Sequence, residues 1–287
     1  MSIVWELDFY SRPVLDDNQK KLWEVLVCES PLEIGQSTEE LFRYAQWCPN
    51  QQVNSIWLRN ALEEAIAQRK CSPQKIRFFR RQMTNLITKA CEELGIPAQA
   101  SRRTYTLDRW LQQRMQDVYP EQPGYQASAA ASSFVQYQPQ APQLLPDALE
   151  GEQWAFVTLE VAAFEDMDEW EIDFGEAFPL SMMGLTSDTR IPGLIIYSSR
   201  ATPIAAWMSG LELAFLRVDT GATARLLLET GASDSWILAN IKDSQTLAEA
   251  KGFELAKEKA GMVHFLAVQS SPASEIFAGF WLLQELK

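Results

Sequence analysis

From Ile3 to Tyr10 apolar and polar positions alternate loosely, and the residue types are β-branched and aromatic, which predicts an opening strand. Arg12-Pro13 through Asp16-Asp17-Asn18 supplies turn chemistry, and Lys20 to Cys28 reads as a second strand, so the chain starts as a hairpin. Glu39 to Trp47 fits a third strand or a short helix. The period then changes. Leu58, Leu62, Ala65 and Ile66 recur every three or four positions after a cap at Asn54 or Ser55, which predicts a helix. Lys75 to Arg80 reads as a strand. Thr84 opens a helix with Ile87, Ala90, Cys91 and Leu94 on one face, closed by Gly95 and Pro97. Ala98 to Arg103 is a short strand, and Thr106 caps a third helix bearing Leu107, Trp110, Leu111 and Val118.

Residues 120–150 break this pattern. Pro120, Pro123, Gly124, Pro139, Pro142 and Pro146 sit among Gln, Ala and Ser, a composition with too little apolar surface to order itself. Phe134, Val135, Tyr137, Leu144 and Leu145 are its candidates for local packing. Beyond it, strands are predicted over residues 154–160, 193–199, 213–218, 225–228, 236–241, 262–269 and 276–283. Helices are predicted over 203–211 and 244–260. Strand alternating with helix in both halves gives two α/β domains, each a mixed sheet flanked by helices. They span residues 1–119 and 151–287, joined by the 120–150 linker. The first domain's element order is compatible with a ribonuclease H-like fold.

No stretch approaches the roughly 20 apolar residues that cross a bilayer. The run from Met1 into Ile3-Val4-Trp5 lacks the order of an export signal, so the expected location is cytoplasmic. The four cysteines are spread about twenty residues apart with no close pair, and His264 is the one histidine. That excludes a zinc site of the usual spacing and points to reduced thiols. His264 lies in an apolar run and reads as a structural residue. No glycine-rich phosphate loop and no nucleophile elbow accompany it, so no cofactor is expected.

The net charge is −13, yet the charge is segregated. Residues 58–117 carry twelve bases and six acids, whereas residues 151–287 carry nine bases and twenty acids. A polyanion feels charge within about 8 Å, so the local excess matters more than the total. Lys75 and Arg77 share a strand face, and Arg80-Arg81 stands where that strand gives way to a helix. If strands 75–80 and 98–103 are parallel neighbours, Arg80, Arg81, Arg102 and Arg103 meet at one sheet edge, with Tyr105 close by as a stacking surface. Arginine suits both phosphate contact and base stacking. The expectation is a groove of Lys75, Arg77, Arg80, Arg81, Arg102, Arg103 and Tyr105 open to nucleic acid. The alternative is a basic face that is solvated or paired with the acidic second half.

Two acidic constellations remain. Glu6, Asp8, Glu24, Glu63 and Glu64 could hold metal ions in a nuclease, although no lysine follows Glu6 or Glu24 by two positions. The run from Glu165 to Glu176 packs seven carboxylates between apolar residues and reads as a solvated strand edge, a metal site or a surface for a basic partner.

The opening Trp5-Glu6-Leu7-Asp8-Phe9-Tyr10-Ser11-Arg12-Pro13, the stretch around Lys75–Arg81 and the terminal Phe280-Trp281-Leu282-Leu283 resemble the RNA-binding translation-activator family of cyanobacteria and chloroplasts. Its chloroplast members are required for translating the message of a photosystem I reaction-centre subunit. The resemblance implies a non-catalytic RNA-binding protein, of cyanobacterial type, that supports translation or biogenesis of photosystem components. Trp281, Leu282 and Leu283 form its terminal signature, expected to be structural or protein-docking. An assembly scaffold acting through the acidic second domain, and a metal-dependent nuclease, are the alternative functions.

Overall fold

The computed structural model of the chain describes residues 3–127, 140–221 and 223–286. Phe134, Val135 and Tyr137 lie outside them. The chain divides into two compact units: Met1–Ser30 with Glu39–Tyr137, and Pro31–Thr38 with Gln138–Lys287. The connection Pro31–Thr38 thus belongs to the second unit, which no local pattern announces.

The first unit holds strands β1 (Val4–Leu15), β2 (Lys21–Ser30), β3 (Arg43–Cys48), β4 (Lys75–Phe78) and β5 (Ala98–Ala100), with helices α1 (Ser55–Arg69), α2 (Thr84–Glu92) and α3 (Tyr105–Asp117). The sheet order is β3-β2-β1-β4-β5. The first three strands form an antiparallel meander, and β4 and β5 run parallel to β1. This is the element order expected from the sequence. Asn54 caps α1 by accepting the Trp57 N–H at 2.9 Å, and Gly95 adopts a positive φ just past α2, as the sequence signals indicated. Two ends differ. β4 stops at Phe78 and β5 at Ala100, so both arginine pairs lie beyond the ladder. α3 starts at Tyr105, and its N-cap is Thr104 rather than Thr106.

β1 separates two unlike layers. Its odd positions Trp5, Leu7 and Phe9 are fully buried with Leu58 and Leu62 of α1 and Ile87 and Cys91 of α2. Its even positions Glu6 and Asp8 are buried too, on the opposite face. On that face Leu26, Cys28 and Phe79 pack with Leu107 and Trp110 of α3.

The second unit has a four-stranded sheet of β10 (Leu213–Asp219), β11 (Arg225–Thr230), β12 (Asp234–Asn240) and β6 (Gln143–Leu144), in that order. Its five-stranded sheet is ordered β7 (Gln153–Glu160), β9 (Arg190–Tyr197), β13 (Val263–Gln269), β14 (Phe277–Gln284) and β8 (Ile172–Glu176). Helices α4 (Ala201–Ser209) and α5 (Ser244–Lys259) complete it. The terminal signature lies in β14, flanked by β13 and β8. Leu282 and Leu283 are fully buried and Trp281 nearly so, and the Phe280 ring stacks on Phe265 at 5.1 Å. Gly279 leaves space for the Trp281 indole, since a Cβ there would lie 2.3 Å from it. The tail is therefore a core strand.

His264 is structural as expected. Its Nε2 accepts the Leu216 N–H at 2.8 Å, so Nδ1 carries the proton, donated to the Met262 carbonyl at 2.9 Å. Beside it, buried Lys257 donates to the Leu216 carbonyl and pairs with Glu254 and Glu285. The four cysteines are free.

Candidate nucleic-acid interface

β4 and β5 are parallel neighbours, and Ser101 N–H donates to the Phe78 carbonyl at 2.8 Å. Arg80-Arg81 and Arg102-Arg103 therefore do leave the sheet side by side. Their exposure differs from the expectation. Arg77, Arg80, Arg102, Arg103 and Tyr105 are each less than 5% exposed. Lys75 is half-buried and Arg81 is exposed. The open groove of seven residues is not formed; two of the seven reach water.

For Arg80 the physical reason is a buried ionic layer. Asp8 accepts from Arg80 Nε at 2.6 Å and Nη2 at 3.3 Å, and from Arg12 Nη1 at 2.8 Å. Arg12 Nε in turn donates to Glu24 Oε2 at 3.0 Å, which also accepts the Tyr119 hydroxyl at 2.6 Å. Arg114 of α3 closes the chain on Glu24 Oε1. Glu6 reaches the start of α3 and accepts the Leu107 N–H at 2.7 Å, placing an anion at a helix N-terminus. Burial alone would raise the Asp8 pKa, but the Arg80 and Arg12 guanidiniums overcome it and hold the carboxyl below its ordinary value. The partners of Arg80, Arg12 and Arg114 in this layer, namely Asp8 and Glu24, belong to the first unit. Hairpin register explains it: Tyr10 stands opposite Glu24, so Arg12 and Glu24 meet across the turn.

The carboxylates considered for metal are not brought together. Glu6, Asp8 and Glu24 lie under α3, whereas Glu63 and Glu64 are exposed on α1, which packs on the other face. Among the described residues no three His, Cys, Asp or Glu are grouped to hold a metal ion. Asp8 already has two guanidiniums in place of cations. In the second unit, the acidic run lies in the 3-10 helix Val161–Glu169, the link after it and the edge strand β8, with all but Glu176 of its seven carboxylates exposed.

A different basic and aromatic set comes together at the outer strand of the first sheet. Arg43, Ala45 and Trp47 alternate on one face of β3. The Arg43 guanidinium lies 5.6 Å from the Trp110 ring centroid, Arg114 lies 5.5 Å from both Trp110 and Tyr119, and Trp47 meets Tyr119 edge-on at 5.9 Å. Arg43 and Ala45 are exposed and Trp47 half-exposed. Sequence reasoning missed Arg43 and Trp47 because both precede the basic island. The available signal was the alternation Arg-x-Ala-x-Trp within a strand.

Comparison with known proteins gives this geometry a context. The family model "RNA-binding protein Tab2/Atab2 N terminal" matches residues 4–114, and "RNA-binding protein Tab2/Atab2, C-terminal domain" matches residues 132–284. The chain belongs to the Tab2/Atab2 family of RNA-binding proteins. Chloroplastic TAB2 homologues of Zea mays and Arabidopsis thaliana are 39% and 40% identical to it over 98% of the chain, covering 71% and 74% of their own lengths. Tab2/Atab2 membership thus spans both units, including the buried β14 signature and the ionic layer. No helix among the described residues is long and apolar enough to cross a membrane.

Proposed function

We propose that this protein binds single-stranded RNA, without catalysis, and so supports translation or biogenesis of photosystem components in a cyanobacterial-type cytoplasm. The observation that carries the reading is the match of both halves of the chain to an RNA-binding family. The Asp8 geometry supports the non-catalytic part, because carboxylates already bound by Arg12 and Arg80 are spoken for. Phosphate contact falls to residues that water reaches, Arg81 and Lys75 among those first singled out. Arg81 has no ion-pair partner among the described residues. Arg77, Arg80, Arg102 and Arg103 then serve as the internal frame of the site.

The test is to crosslink RNA to the protein in its own cells and sequence it. Enrichment of photosystem messages supports the reading; RNA no different from total cellular RNA would sink it. Purified protein with labelled RNA and Mg²⁺ should leave the RNA intact. A second reading, a scaffold for protein partners, draws on the acidic run. Leu32, Glu33, Met167, Asp168, Asp173 and Glu176 line a cavity of about 300 Å³ at the β8 edge. Partners retained after ribonuclease treatment would favour it.

A further inference from the structure

We infer that the outer face of β3, with Arg43 and Trp47 as its planar groups, is the platform on which bases of single-stranded RNA stack. The inference rests on the RNA-binding reading above and assigns it a surface. Arg43 and Trp47 stand four residues apart on an edge strand, roughly 13 Å along its axis. Exposed Ala45 between them has no bulk, so the strip carries a guanidinium, a gap and an indole in line.

Both planar groups are held in place before any ligand arrives. Trp110 lies under the Arg43 guanidinium, and Tyr119 meets the Trp47 ring edge-on. Preorganised side chains lose little rotamer freedom on binding. Tyr119 is itself anchored by its hydrogen bond to Glu24, so the buried ionic layer fixes the floor of the platform. Arg43 differs from Arg12, Arg80 and Arg114 in having no carboxylate partner among the described residues. Its charge is therefore available to a phosphate. The underlying layer sets Arg12, Arg80 and Arg114 against Asp8 and Glu24, with Glu6 at the start of α3 beside them.

Aromatic and guanidinium planes accept any base face, and bases are free to splay only in single strands. The ligand class is thus unpaired RNA with little sequence preference at this strip. Duplex RNA, whose bases are stacked inside, should compete poorly.

The full chain is titrated with fluorescent oligouridine, read by anisotropy over a series of salt concentrations. Trp47→Ala should weaken binding about tenfold with the salt slope unchanged, because it removes stacking and no charge. Arg43→Glu should weaken binding and flatten the salt slope by about 0.7 or more. If both variants bind within about twofold of the parent chain, the platform is wrong while RNA binding stands. If the parent chain binds no RNA, the functional reading fails and the platform with it. Should Trp47→Ala fold poorly, Arg43→Glu decides, since Arg43 is exposed and its loss removes no buried ion pair.

Discussion

Replacing Asp8 by Asn tests the ionic layer most directly. The Asp8 side chain is fully buried and makes three contacts, at 2.6 and 3.3 Å to Arg80 and 2.8 Å to Arg12. Asn keeps the shape and removes the charge. Arg12 retains Glu24, but Arg80, 3% exposed, is left with a neutral amide oxygen, the Tyr10 ring at 3.9 Å and the Phe79 ring at 4.9 Å, and no counter-charge. Breaking one side of a buried pair strands the other charge in a poor solvent and costs about 3–5 kcal/mol. Whole domains are stable by only about 5–15 kcal/mol, so the first unit should lose a large part of its margin. Hydrogen exchange of β1 and β4 amides localises that loss. Arg59→Gln is the internal comparison: its partners Glu63 and Glu93 are on the surface, and the change should cost below about 1 kcal/mol. Acid provides an independent reading. The folded Asp8 pKa lies below its unfolded value, so its contribution is complete above about 3.9 and is lost as pH falls through the folded value. Asp8→Asn should lose this part of the acid sensitivity. A destabilisation no larger than that of Arg59→Gln would mean that water solvates the layer, and the reasoning would be refuted.

Three further outcomes follow from the second unit. Trp281→Ala should destabilise it by about 3–5 kcal/mol, measured by urea unfolding, because the indole fills space over Gly279 and beside Ala205. Gly193→Ala should destabilise more than a surface Gly→Ala such as Gly252→Ala, since its Cβ would meet the Phe265 ring at 2.2 Å while Gly252 has nothing within 4 Å. His264 should make stability fall as pH drops below about 6.5: burial, with Lys257 nearby, lowers its folded pKa, so the unfolded chain takes the proton first. His264→Gln should flatten that dependence, and an unaltered slope would contradict the assignment.

The elements were legible because they are local. The three- and four-residue recurrence of Leu58, Leu62, Ala65 and Ile66, the Asn54 cap and the Gly95 stop each act within a few residues, and each is present in the structure. The parallel pairing of β4 with β5 was a correct conditional inference. β6 escaped notice, since two exposed residues, Gln143 and Leu144, carry no period. The solvent-facing groove failed for a specific reason: a basic residue reads as exposed unless its partner is known, and Asp8 lies 72 positions from Arg80.

By itself the sequence determined most strands and helices of the two α/β units, the segregation of charge and the apolar terminal strand. Those follow from periodicity and residue type, which act through the backbone next to them. Only the tertiary structure decided which arginines see water. Arg77, Arg80, Arg102 and Arg103 are buried, Arg80 against the Asp8 carboxylate, while Arg43 stays outside. An alternating pattern tells which side chains share a face, but what covers that face depends on packing between distant segments.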